Sequence, residues 1–470
     1  MVFSGLVFLY LFLPLCLLAY FAVPGLRGKN GVLIAASLIF YAWGEPVYVL
    51  LLLASAAANY GFGRWLDHSR GDARVKGILA LTVGVNVAVL AVFKYAGFFV
   101  QTLNDLTGLG WAVPQLALPI GISFYTFQSL SYLADVYRGE VRAQKSFWKF
   151  LLYLSLFPQL IAGPIVRYSD IEAQLAERSV TAESLFYGAL RFCVGLGKKV
   201  LIANYAGKAA SALLDGGAMT VTGTWFGILM FAFEIYFDFS GYSDMAIGLG
   251  RIFGFRYPEN FNLPYVADSL TDFWRRWHIS LSSFFRDYVY IPMGGNRKHQ
   301  VWNLLVVWVL TGLWHGASWN FVLWGLYFFL FLYLEKLCRP ALEKIPRILR
   351  HLGTILLLLL GWTVFYYTDL TRMGEAFSAL FGGAELHSAA AGITMLNALP
   401  LLAVCVLGST PLPRRAGLIL SGFCVDGSDR LTWQRGCYAG AVFLFDLAIL
   451  ALSTISLVGS SYNPFLYFRF

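Results

Sequence analysis

The chain reads as an all-α polytopic membrane protein, and three observations carry that reading. Of its 470 residues, 58% are hydrophobic and only 13% are charged, against about 25% charged in an ordinary soluble domain. Mean hydropathy is +0.65. Apolar runs recur from one end to the other, each able to form the helix of roughly 20 residues that crosses a hydrocarbon core. That yardstick predicts about ten to twelve transmembrane helices, with re-entrant and interfacial pieces between them. No stretch reads as a separate soluble domain, so residues 1–470 form a single membrane domain. The opening segment Met1 to Val23 has no basic leader and reads as the first span, not as a cleaved signal peptide.

The charges set orientation. The net charge of +9 comes from Lys and Arg in short loops between apolar runs, which excludes a nucleic-acid partner as its explanation and points to anchoring among membrane lipids. Arg27 and Lys29 follow the first run. The turn Trp43-Gly44-Glu45-Pro46 carries no positive charge. A basic loop follows with Arg64, Arg70, Arg74 and Lys76, then the neutral stretch Asn104 to Pro114, then Arg138, Arg142 and Lys145. This alternation predicts an extracytoplasmic N-terminus and cytoplasmic basic loops in a bacterial inner membrane. Cys16, Cys193, Cys338, Cys405, Cys424 and Cys437 are scattered without a CxxC pair, and so read as packing residues and not as metal ligands.

Further along, regularity fails in two places. Ser155 to Tyr168 contains Pro158, Gly163 and Pro164, which interrupt any continuous helix. At membrane depth such backbone survives only inside protein or beside a cavity. Arg251 to Gln300 is too polar for a span yet rich in aromatic residues. Basic loops return around Lys336–Arg350, at Arg414–Arg415 and at Arg430–Arg435. A last apolar run, Tyr438 to Val458, then leads to an aromatic tail with Tyr462, Phe465, Tyr467, Phe468 and Phe470. The tail is expected outside the cytoplasm, as an interfacial anchor or as a dock for a protein partner. No internal repeat is visible, which weighs against an inverted-repeat transporter.

One ionisable residue stands inside an apolar run. His315 lies in Leu310-Thr-Gly-Leu-Trp-His-Gly-Ala-Ser-Trp319, where a titratable group is costly and marks function by default. Gly312 and Gly316 leave a face small enough for a neighbouring helix, and Trp314 and Trp319 are candidates to wall the site. A desolvated imidazole is neutral and can serve as general base or nucleophile in acyl transfer. It can equally be a structural histidine bonded to the next helix.

Two further clusters accompany it. Read as one helix, Thr271 to Tyr288 puts Trp274, His278, Leu281 and Phe285 on one face, at an interfacial position. Arg275, Arg276 and Arg286 then lie off that face, ready for the phosphates of a nucleotide-bearing donor or for lipid headgroups. In Phe233 to Met245, the carboxylates Glu234, Asp238 and Asp244 need partners. They wall a polar cavity, orient a histidine, or pair with Arg275 or Arg276. His68, His299, His351 and His387 lie in loops or near helix ends and carry no strong signal. No phosphate loop, metal-ligand spacing or nucleophile elbow is present in the sequence.

Four motifs in sequence now make a pattern: Phe237-Asp-Phe-Ser-Gly-Tyr-Ser-Asp-Met-Ala246, Asp272-Phe-Trp-Arg-Arg-Trp-His-Ile-Ser-Leu-Ser282, Tyr290-Ile-Pro-Met-Gly-Gly-Asn296 and Gly312-Leu-Trp-His-Gly-Ala317. Their order and spacing resemble the membrane-bound O-acyltransferase (MBOAT) family, in the bacterial branch typified by the membrane subunit of the alginate O-acetyltransferase system. Val2-Phe-Ser4, Gly121-Ile-Ser-Phe-Tyr-Thr-Phe127 and the tail extend the likeness over almost the whole chain.

The resemblance implies an MBOAT-like helix bundle around a cavity, with His315 at the family's invariant histidine and His278 at the second histidine of this branch. It implies acetyl transfer from a cytoplasmic thioester, acetyl-CoA, with no permanently bound cofactor. A separate periplasmic or surface acetyltransferase partner then delivers the group to a polysaccharide such as alginate. Peptidoglycan O-acetylation and D-alanyl transfer to teichoic acid stay open on the same fold, and a proton-coupled transporter or flippase stays open as a different class.

Overall fold

A computed structural model describes residues 1–422, 433–459 and 462–463. Among these the chain is helical throughout, and the only β pairing is an isolated bridge between Thr220 and Glu385. Five helices have the length and apolarity of a membrane span: Val75–Thr107, Trp319–Leu342, Arg347–Tyr366, Ala389–Gly408 and Gly436–Val458. Shorter and more polar helices fill the interior between them.

At the centre runs Val221–Ile252, a helix of 32 residues that is buried on nearly all sides from Gly223 onward. Two glycine pairs set its packing. Gly188 and Gly195 on the Ala182–Gly197 helix are seven residues apart, as are Gly241 and Gly248 on the central helix. A Cβ on Gly195 would lie 2.5 Å from the Gly241 carbonyl oxygen, and one on Gly248 would lie 2.6 Å from that of Gly188. The two backbones therefore touch, as small residues allow where apolar burial against lipid gives little drive.

The carboxylates of this helix correct the expected pairing. Asp244 lies 2.7 Å from both Arg191 and Lys198, and Asp238 lies 2.7 Å from Lys199. Arg191 also reaches Glu259. Neither aspartate pairs with Arg275 or Arg276. Charges buried on a central helix are met most cheaply by the helix in backbone contact with it, and those cations sit on the neighbouring Ala182–Gly197 helix and the π-helical turn Lys198–Ala203 that continues it.

The broken segment behaves as its prolines and glycine require. Phe147–Ser155 ends, a single turn Phe157–Leu160 follows, and residues 155–166 are buried without exception. The Ile165 N–H donates to Ser280 Oγ at 2.9 Å, so this segment backs the polar stretch that follows the central helix.

That stretch departs from one expectation. Thr271 to Tyr288 is not one helix but two, Leu270–Arg276 and Ile279–Phe285, with a break at Trp277 and His278. His278 has φ 44° and ψ 55°, in the left-handed region that non-glycine residues rarely occupy. Periodicity alone could not show this, because the break is fixed by bonds to residues far earlier in the chain.

At the C-terminal end Asn463 bonds to Ser4 and accepts from Asn204, and the Tyr462 ring lies 5.7 Å from Lys208 Nζ. Tyr462, expected in the outward-facing tail, thus packs on the Asn204–Leu214 helix, while Asn463 ties this segment to the N-terminus. Cys424, Arg430, Ser461, Phe465, Tyr467, Phe468 and Phe470 lie outside the described residues.

Candidate functional site

The site is built on a helical hairpin. Gln300–His315 and Trp319–Leu342 pack in backbone contact: a Cβ on Gly312 would lie 2.2 Å from the Phe321 carbonyl oxygen, and one on Gly325 2.4 Å from that of Trp308. The glycine face expected around His315 is real, and its partner is the next helix in the chain. The hairpin turns at Gly316 to Ser318, which leaves His315 as the last residue of the first arm.

A helix end leaves its final carbonyls without intrahelical donors. Here Tyr95 Oη donates to the Leu313 carbonyl at 2.7 Å, and Lys94 Nζ donates to that of Trp314. Both come from the spanning helix Val75–Thr107. Lys94 is a half-buried amine that the sequence reading passed over, although a lysine inside so apolar a run is itself a signal.

His315 has an aromatic surround: Trp314, Trp324 and Phe365 have ring centres 4.8, 5.0 and 5.1 Å from its own. Among the described residues neither of its nitrogens has a hydrogen-bond partner. The His278 ring lies 5.5 Å from the same Trp314 ring and is packed edge-on against Phe239 at 4.7 Å. Burial lowers the pKa of His278 well below its ordinary value, so the ring is neutral at pH 7. Its Nε2 is buried with no partner among the described residues, while Nδ1 meets Asn260 Oδ1 at 3.1 Å.

Both imidazoles line one cavity of about 1180 Å³, ample for a ligand of ordinary cofactor size. Trp274, Trp308 and Leu281 form apolar wall. Toward the other end the lining is charged, with Arg275, Arg286, Lys336, Arg339 and Arg350 against Asp268, Asp272, Glu335 and Glu343. The acids are already partnered, some of them by these same cations. Asp268 holds Arg350 at 3.0 Å, Asp272 holds Arg276 at 2.9 Å, and Glu343 holds Arg339 at 2.9 Å. Glu335 accepts from the Leu270 and Thr271 N–H groups and so pins the first turn of the short helix Leu270–Arg276. Asp287 is shared by Arg286 at 2.6 Å and Arg167 at 2.7 Å. Burial would raise the Asp287 carboxyl, but the hydrogen bonds from these two guanidinium groups outweigh it and hold the pKa below the usual range. Arg275 has no ion-pair or hydrogen-bond partner among the described residues and is exposed. The cavity mouth therefore keeps unneutralised positive charge.

This sorts the expected residues. His278, His315, Arg275 and Arg286 come together on one cavity. Arg276 does not: its guanidinium is turned to Asp272 and the Asn262 carbonyl, where it holds the re-entrant turn. Trp314 backs both histidines from behind the cavity lining. Trp319 is separated from His315 by the hairpin turn, stands 48% exposed and packs on Phe98 at 5.5 Å. The four-residue spacing that suggested otherwise holds only within a continuous helix, and Gly316 interrupts it. Lys336, Arg339 and Arg350 join the mouth from the basic segment that the sequence analysis assigned only to orientation.

Comparison with known proteins now decides the family. The family model for membrane-bound O-acyltransferases matches residues 101–373. The chain belongs to the membrane-bound O-acyltransferase family. A probable alginate O-acetylase AlgI of Azotobacter vinelandii is 38% identical over the whole of both chains. A peptidoglycan O-acetyltransferase of Helicobacter pylori is 32% identical over all of this chain and 98% of its own. A teichoic acid D-alanyltransferase of Bacillus subtilis is 30% identical, over 44% of this chain and 56% of its own. This O-acyltransferase is thus a membrane-embedded acyl-transfer enzyme, which sets aside the transporter and flippase reading. The matched region contains the hairpin, both histidines and the cavity mouth.

Proposed function

We propose that this enzyme takes acetyl from acetyl-CoA on the cytoplasmic side of the inner membrane and passes it across for O-acetylation of an extracytoplasmic polysaccharide of the alginate kind. The observation that carries the proposal is the polarity of the cavity: exposed, unpaired Arg275 and the Asp287-paired Arg286 on its charged side, two imidazoles against one indole on its aromatic side. A coenzyme A thioester has that same polarity, with phosphates at one end and the acyl group at the other. Guanidinium groups suit phosphates, and the aromatic interior excludes water from the thioester.

At the inner end, His315 acts as general base. It takes the proton of an acceptor hydroxyl as the hydroxyl oxygen attacks the thioester carbonyl; the C–S bond then breaks and the imidazolium returns that proton to the leaving sulfur, so that coenzyme A departs as the thiol. His278, neutral and with a free Nε2, faces the same space as the second proton-handling group. A periplasmic or surface transferase receives the acetyl group and carries it to the polymer. The name and full-length likeness of the Azotobacter relative support acetyl and alginate over D-alanine, whose relative shares less than half of this chain.

The test is turnover by the purified enzyme in liposomes with acetyl-labelled acetyl-CoA, beside a D-alanyl carrier-protein thioester. Release of coenzyme A and labelled product, lost in His315→Ala, is expected. Turnover of the D-alanyl thioester alone would overturn the acetyl assignment.

A further inference from the structure

We infer that Asn260 is a positioning residue that fixes the tautomer of His278, holding its proton on Nδ1 and leaving the Nε2 lone pair bare toward the reaction space. The inference deepens the proposed acyl transfer and rests on it for its consequence, but its structural content stands separately.

A chain of donors determines which way the Asn260 carboxamide faces. The Ser280 backbone N–H lies 3.3 Å from Asn260 Oδ1 and can only donate, so the atom facing it is the oxygen and not the amide nitrogen. Ser280 Oγ already accepts from the Ile165 N–H at 2.9 Å and gives its own proton to Asn260 Oδ1 at 2.8 Å. On the other side, Asn260 Nδ2 donates to Ser243 Oγ at 3.1 Å. With Oδ1 set as an acceptor by two independent donors, the ring nitrogen 3.1 Å from it must bring a hydrogen, so His278 Nδ1 is N–H. A neutral imidazole carries one proton, so Nε2 has none.

Backbone geometry shows why an asparagine stands there. His278 occupies the left-handed region immediately before the helix Ile279–Phe285, where a helix needs its first N–H groups capped. The His278 side chain supplies no cap. Asn260 does so from 18 residues away, through Ser280 N, while its own carbonyl accepts the Ile279 N–H at 3.0 Å. One fully buried side chain thus holds the strained turn and the ring on it. Strain of this kind persists only where surrounding bonds over-determine it.

The sequence contains six histidines, few enough for selective ¹⁵N-histidine labelling of the whole enzyme in detergent, with a His278→Gln sample to identify the signals of that ring. The native protein should show His278 with Nδ1 protonated and Nε2 bare. Asn260→Leu, which removes the acceptor, should move the proton to Nε2 or spread it over both nitrogens. It should lower kcat on the order of 100-fold with KM for acetyl-CoA within about twofold, the size expected for a misassigned acid–base group. Asn260→Asp keeps the acceptor and should recover at least tenfold of that loss. Protonation of Nε2 in the native enzyme would overturn the inference even if Asn260→Leu failed to fold. An Nδ1–H ring in an enzyme that transfers no acetyl would leave the positioning intact and sink the acyl-transfer assignment instead.

Discussion

His278 and Trp314 stand 5.5 Å apart, ring centre to ring centre, although 36 positions separate them in the sequence. His315 lies 4.8 Å from the same indole. One aromatic side chain therefore touches both a re-entrant turn and a hairpin tip, and the two histidines meet around it.

Substitution of His315 tests the inner end of the cavity. The ring makes no hydrogen bond among the described residues, so little of the fold depends on it. His315→Ala should lower acetyl transfer at least 100-fold, the scale of a lost general base, with membrane level and thermal midpoint close to wild type. His278→Ala should fall by a comparable factor. Full activity in His315→Ala, measured by coenzyme A release, would remove His315 from the reaction.

The three arginines should separate. Arg275→Ala with Arg286→Ala removes charge that a bound phosphate would meet, and KM for acetyl-CoA should rise about tenfold with little change in kcat, the signature of lost ground-state binding. Arg276→Ala should behave otherwise, because it frees Asp272 and loosens the turn that presents His278. Its kcat and thermal midpoint should drop together. Identical KM effects at all three positions, in steady-state kinetics, would contradict the sorting.

Asp244 is a stability prediction. It neutralises Arg191 and Lys198 on the neighbouring chain segment. Asp244→Asn leaves Lys198 without its carboxylate and Arg191 with Glu259 alone, and breaking a buried pair costs about 3–5 kcal/mol. The detergent-solubilised variant should unfold at a clearly lower temperature, read by the fluorescence of its tryptophans. An unchanged midpoint would mean that solvent reaches these groups.

Gly195 makes the same point with no charge. Any larger side chain meets the Gly241 carbonyl and Met245, so Gly195→Leu should cut the yield of folded enzyme severely. Gly353, which has open space around its Cβ position, is the control: Gly353→Ala should express normally.

The sequence carried the bundle, the broken segment at Ser155 to Tyr168 and the place of His315 beside a cavity, because apolar length, proline and an isolated titratable group are local signals. It did not carry the break at His278. The pattern Trp274, His278, Leu281, Phe285 fits a helix face, and all four do line the cavity, yet they reach it through two short helices joined by a left-handed residue. Asn260, in Pro258-Glu-Asn-Phe-Asn262, drew no notice for the same reason: its role exists only once residues 260 and 278 meet. Of the alternatives for Asp244, pairing with Arg275 or Arg276 fails, because charge alone cannot say which helix is in backbone contact. Glycines seven apart on two helices could have said so, had Gly188, Gly195, Gly241 and Gly248 been read together.

The most direct measurement is a cryo-electron microscopy structure of the enzyme with a non-reactive thioether analogue of acetyl-CoA. The account predicts the analogue's phosphates beside Arg275 and Arg286, and its acetyl carbon within reach of His315 and His278. Density for the analogue anywhere else, with this cavity empty at saturating concentration, would contradict it.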